Sequence, residues 1–202
     1  APGAQAAALR GEADLLLAQD QPAEALDRYD RAIAAAAEPS AAGWASLGAA
    51  EALFELGRVD EADGRIARLR AHPDPEVSLQ ASLRAARRHL QDEDWAGALA
   101  LLSDTRAGAL GPGWDASQTE LEAVAYLETG DIEAARAAWE GLAARWPSSN
   151  EALLPAWLGL ADLAQTSGDT DTARAWATKA LETAEDPGYR KQAEDLVARI
   201  GG

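Results

Sequence analysis

The side chains that could carry chemistry are few and scattered. Two histidines, His72 and His89, stand in a 202-residue chain that has no cysteine and no methionine. A zinc site needs imidazole or thiolate ligands at short, fixed spacings. His72 lies in a proline-bounded turn and His89 in a helical stretch beside arginines, and neither has a His or Cys partner at ligand spacing. Gly111-Pro112-Gly113 lacks the Lys-Ser/Thr of a phosphate loop and follows no strand. Asp169-Thr170-Asp171 starts like a calcium loop without its later glycine and glutamate. No serine sits in a nucleophile elbow. With 34 carboxylates, close pairs such as Glu93-Asp94 arise by chance. General acid–base catalysis needs a shielded pair with separated pKa values, which a turn in water does not supply. No catalytic residue, cofactor or metal is assigned, and an enzyme is not expected.

Binding chemistry has better material. Against 34 acidic residues stand 18 Lys and Arg, a net charge of −16. A field this negative repels phosphate backbones and argues against nucleic acid as a partner. The stretch Leu83 to Leu90, with Arg84, Arg87 and Arg88, is a local exception. Arg84 and Arg87, with Gln80 beside them, present the planar fork and amide that hold a carboxylate. The competing reading pairs these arginines with acids such as Glu51 and Glu120, or leaves them solvated. Tryptophan supplies seven of the eleven aromatics.

The elements that must position these groups are helices. Alanine, the best helix former, is abundant, and no segment alternates with period two. Ala25, Ala62, Ala98, Ala135 and Ala173 each lie five residues after a turn position, at Asp20, Gly57, Glu93, Gly130 and Gly168. Twelve residues before each stands another alanine: Ala13, Ala50, Ala86, Ala123 and Ala161. Such a unit reads as two antiparallel helices that cross at a pair of small side chains. Glycine at the turn permits positive φ, and the aspartates of Gly130-Asp131 and Gly168-Asp169 can cap the following helix. Tyr29, Ile66, Leu102 and Trp139, four positions beyond the second alanine, fill the groove between helices; the fifth unit has Ala177 there. The paired helices are predicted near 4–18 and 22–36, 40–55 and 59–71, 76–91 and 95–106, 115–129 and 132–145, 150–166 and 170–184. Residues 188–200 form one more amphipathic helix, with Ala193, Leu196, Val197 and Ile200 on one face, read as a solubilising cap. The connector Arg106 to Trp114 holds three glycines and a proline. It is either a hinge or binding loop, or filler for a second helix that is a turn short.

This pattern resembles the tetratricopeptide repeat (TPR), a helix–turn–helix unit of about 34 residues. The run Gly130 to Pro147 carries the motif's second half, and Trp157, Leu160 and Ala161 its first; Trp44, Leu47 and Gly48 match the first half in the second unit. The resemblance implies an all-α, right-handed α-solenoid of five repeats, near 4–37, 40–73, 76–109, 115–147 and 149–184, with a C-terminal capping helix, in a single domain over 1–202. It places Trp139 and Trp157 in large core positions and Trp44, Trp95 and Trp146 near packing positions, while Trp114 and Trp176 have no assigned core place.

The resemblance implies a non-catalytic module that binds a protein or peptide on a concave face lined by the first helices of the repeats. Candidate contacts are Arg10, Trp44, Glu51, Gln80, Arg84, Arg87, Glu120 and Asp162, with Trp114 and Trp176 as interface aromatics. Asp14, Leu17, Leu47, Val124, Leu127, Leu158 and Gln165 share that register. The run from Gly111 through Trp114 to Glu140 is similar to the periplasmic repeat domain of the ancillary Sec translocon subunit. The run from Arg145 to Leu160 is similar to Tol-Pal-associated periplasmic repeats and to outer-membrane assembly lipoproteins. Both imply a bacterial periplasm or envelope. A cytoplasmic TPR adaptor and a self-assembling homo-oligomeric unit are the alternatives. The longest apolar stretch, Leu153 to Ala161, is half a membrane span. The chain begins Ala1-Pro2-Gly3 rather than with methionine, so a preceding signal or anchor is left open.

Overall fold

The computed structural model describes residues 2–105 and 107–201; Arg106 of the glycine-rich connector therefore lies outside the described residues. Its elements are α1 (Pro2–Ala18), α2 (Pro22–Ala35), α3 (Pro39–Glu55), α4 (Val59–Leu69), α5 (Pro75–Gln91), α6 (Trp95–Ser103), α7 (Pro112–Glu128), α8 (Ile132–Arg145), α9 (Asn150–Thr166), α10 (Thr170–Thr183) and α11 (Pro187–Gly201). Two compact units divide inside α5, Ala1–Ala85 and Ala86–Gly202. In the first, α1 packs on α2, α2 on α3 and α3 on α4; in the second, α7 packs on α8, α8 on α9, α9 on α10 and α10 on α11. Six of these helices, α1, α2, α3, α5, α7 and α11, begin at a proline. Proline's fixed φ suits the first helical position, where its missing N–H has no partner to lose.

All ten repeat alanines are buried, none more than 1% exposed. A methyl group is the largest side chain that lets paired backbones approach so closely. The five turns share one geometry. Asp20, Gly57, Glu93, Gly130 and Gly168 have φ between 59° and 81°. In each, the turn N–H reaches back three residues and the next N–H reaches back five. Gly57 N donates to Phe54 O at 2.9 Å and Arg58 N to Leu53 O at 2.9 Å; Gly168 N donates to Gln165 O at 3.0 Å and Asp169 N to Ala164 O at 2.9 Å. This doubly bonded left-handed stop satisfies carbonyls the helix end would otherwise leave open. The residue after the stop begins the next helix. Asp94, Asp131 and Asp169 accept there from the N–H of Gly97, Ala134 and Thr172, at 2.9, 3.0 and 3.1 Å.

Neighbouring repeats meet by size matching. Tyr29, Ile66, Leu102, Trp139 and Ala177 are all buried. The two large aromatics lie against glycines of the following first helix: a β-carbon at Gly48 would overlap the Tyr29 ring, and one at Gly159 the Trp139 ring. Where the second helix carries Ile66 or Leu102, the equivalent first-helix positions hold Arg84 and Leu121.

The connector is tied down. α6 is nine residues long, the shortest of the second helices, and a 3-10 turn at Ala107–Ala109 precedes α7. Gln118 of α7 accepts from the Thr105 hydroxyl and donates to Leu102 O at 3.1 Å. Asp115, 6% exposed, accepts two bonds from Arg145 at 2.8 and 3.1 Å and one from the Trp146 indole at 2.8 Å. That bonding to Asp115 holds the Arg145 guanidinium above its ordinary pKa. The shortened helix and filled gap are the second of the two readings the connector allowed. α11 buries Ala193, Leu196 and Ile200 and so covers the apolar side of the last pair. No described helix is long and apolar enough to cross a membrane.

Candidate partner-binding groove

In the first unit, the candidate residues Glu51, Gln80 and Arg84 come together. Arg84 Nε lies 3.6 Å from Glu51 Oε2, and its Nη1 lies 3.4 Å from Gln80 Oε1. Close by, the Tyr29 hydroxyl donates to Asp14 at 2.7 Å. Burial, then the bond to Asp14 and its charge, push the Tyr29 phenol well above its ordinary pKa, with Arg84 opposing and Glu51 adding. Arg84 is thus occupied by an acid of its own chain, as the competing reading had it. A ligand carboxylate at Arg84 would compete with Glu51. Arg10 is exposed on α1 and Trp44 is half-buried against the first unit's core, while Leu47, of the same register, is fully buried in that core and presents no binding surface.

His72 is structural: its Nδ1 accepts from Asp74 N at 3.1 Å, which leaves Nε2 to donate to Pro39 O at 3.1 Å. In the second unit Arg87 is exposed, and His89 Nδ1 meets Asp94 at 2.7 Å, so that histidine braces a helix cap. Glu122, half-buried in α7, has its carboxyl raised by burial, against the opposing bond from Gln118 and charge of Arg145.

The second unit also contains a groove of about 1100 Å³ whose walls are α7, α9 and α11. Glu120 and Asp162, two of the sequence candidates, line it. Trp139, Pro155, Leu158 and Leu196 supply apolar floor. Glu151, Asp186 and Tyr189 gather at one end, and the Tyr189 phenol is raised by burial first and then by Glu120, Asp186 and Glu151. Arg199 Nη2 reaches Asp162 Oδ1 at 2.7 Å. Trp114 does not enter this groove; it borders a smaller adjoining cavity of about 380 Å³ that shares Glu151 with it. Trp176 is half-buried among the second unit's apolar clusters, and Lys179 Nζ lies 5.1 Å from its ring centre and 4.2 Å from that of Trp157. On α7 the groove register continues to Val124 and Leu127, which are 39% and 42% exposed.

Sequence reasoning missed the contribution of α11. Its apolar face reads from the sequence as a cap, and the repeat pattern gives no role to its other flank, with Tyr189 and Arg199. The signal was present: Ala198 and Arg199 follow Ala161 and Asp162 by one repeat length of 37 residues. By register, α11 is a further first helix, and such helices line the binding surface in stacked repeats.

A family model described as tetratricopeptide repeat matches residues 10–74 and 121–190. No curated protein matches the sequence. Two solved structures are similar over nearly the whole chain. One is a thermophilic TPR protein of Thermus thermophilus, 22% identical, covering 96% of this chain and 99% of that one at a TM-score of 0.60. The other is the MamA RS-1 ArsTM double mutant, 22% identical, covering 90% and 96% at a TM-score of 0.57. At that identity the likeness is one of fold. TPR domains are generally non-catalytic and mediate protein–protein interaction.

Proposed function

Because the chain belongs to the tetratricopeptide repeat family, we propose that it is a non-catalytic module that docks a protein or peptide segment in the groove walled by α7, α9 and α11. The groove itself carries this reading. At about 1100 Å³, walled by three helices, it has room for a chain segment. It combines an apolar floor with polar rims, the arrangement that gives both affinity and orientation. Its walls belong to regular helices fixed by buried alanines, so little ordering is required when a partner binds. We further propose that this docking serves a bacterial envelope assembly or translocation process. The similarity of Gly111 to Glu140 and of Arg145 to Leu160 to envelope repeat proteins supports that placement.

Panning a displayed random-peptide library against the full chain tests the docking site. Ala198 is exposed in the groove, so Ala198→Trp fills it without disturbing the core. Enriched peptides should lose about tenfold or more in affinity for Ala198→Trp. Peptides that bind this variant as tightly as the parent place the docking surface elsewhere and sink the proposal.

A further inference from the structure

The proposed docking groove has a chemical polarity that names its occupant. Glu120, Glu151, Asp162, Asp186 and Asp195 line it against one arginine. That arginine, Arg199, is already bonded to Asp162, and Lys191 holds Asp195 at 3.0 Å, so Glu120, Glu151 and Asp186 carry most of the groove's negative charge. In a concave site with low-dielectric walls such carboxylates reinforce one another's potential, so an acidic segment is repelled and a basic one is drawn in. Tyr189 stands among Glu120, Glu151 and Asp186 at one end, an aromatic face beside three carboxylates. This is the setting that favours a lysine or arginine, whose stem packs on the ring while its head meets the acids. The floor is different. Leu158 and Pro155, both half-buried, and the exposed Ala198 offer apolar surface that a purely charged ligand would leave wet.

Resting on the reading of this groove as the docking site, we infer that its partner is a basic amphipathic protein segment. Its lysines or arginines face Glu120, Glu151 and Asp186, and its apolar side chains lie on Leu158 and Pro155. The ion pairs form at a solvated rim, where they set specificity and orientation without the full cost of desolvation.

The test uses a labelled synthetic peptide of about 12 residues, with leucines at helical spacing and lysines between them. Two analogues carry glutamine or glutamate at every lysine. Binding to the full chain is read by fluorescence anisotropy. Two proteins of equal charge are compared, Glu120→Lys/Glu151→Lys in the groove and Glu140→Lys/Glu182→Lys on exposed positions outside it. The lysine peptide should bind at least about tenfold tighter than the glutamine analogue and lose about tenfold on the groove reversal. The outer reversal should cost under about threefold. Equal losses in the two reversed proteins would mean a general field effect and overturn the inference. If the groove reversal fails to melt cooperatively, Glu120→Gln/Glu151→Gln takes its place with the same expectation. A glutamine peptide that binds as tightly and is blocked by Ala198→Trp removes the charge preference but leaves the docking site. Binding by all three peptides that ignores every groove substitution removes both.

Discussion

Glu93 holds a backbone conformation that a side chain resists. Its φ of 59° matches that of Asp20, while the other three turns use glycine. A left-handed residue with a β-carbon costs roughly 1–2 kcal/mol, less for aspartate, which bonds its own backbone. Glycine's extra freedom in the unfolded chain returns part of that difference. Glu93→Gly should therefore stabilise the protein by about 0.5–1 kcal/mol in urea unfolding, and Asp20→Gly by less. A loss of stability for Glu93→Gly would mean that its turn is not strained. These two turns lack glycine, yet the sequence located them, because the alanine series marks each turn from its flank. Three helix-capping aspartates were legible to different degrees. Asp131 and Asp169 followed a glycine and were recognised, whereas Asp94 followed Glu93 and looked like one more acidic pair.

At the level of helices, the contact between consecutive repeats is a lock of complementary sizes. Gly159 has no room for a β-carbon because Trp139 fills the space. Gly159→Ala should cost about 1–3 kcal/mol, since overpacking forces side chain or backbone to move. In a Trp139→Leu background the same substitution should cost less than about 0.5 kcal/mol, because the ring that it meets is gone. Denaturant curves of the four proteins give the coupling, and an additive result would refute the lock. Most helices were readable from sequence to within a few residues. The third pair was less so: α6 was expected to reach residue 106 and ends at Ser103. Past Ser103 the start of α7 and a 3-10 turn at Ala107–Ala109 are held by Gln118 and a buried Asp115, and bonds formed across such distances leave no periodic trace. The candidate groove was half legible. Glu120 and Asp162 follow from the repeat register, but Glu151, Asp186 and Tyr189 lie at helix starts, where the alanine pattern offers no guide.

For the whole molecule the dominant quantity is charge. At −16, with a pI near 4.4, the folded chain works against its own repulsion at neutral pH. Raising salt from about 20 to about 300 mM at pH 7.5 should increase the melting temperature, and the same change at pH 4.5 should do much less, because little net charge remains to screen. Equal shifts at both pH values would count against the repulsion account. Below about pH 4 a different limb begins. Asp74, Asp94 and Asp169 are held below the usual carboxylate range, mainly by the Ser40 hydroxyl, the Gly97 N–H and Thr172 respectively. Depressed carboxyls favour the folded chain above their unfolded pKa of about 3.9, and that contribution fades as pH falls through the depressed values. Arg199 gives the groove one more property. Because its guanidinium already sits on Asp162, the site contains a resident competitor on the same chain, present at a fixed local concentration however dilute the protein. A visiting cation must share Asp162 with Arg199 or turn it out, so that carboxylate adds less to the pull on a basic partner than Glu120 or Glu151 does.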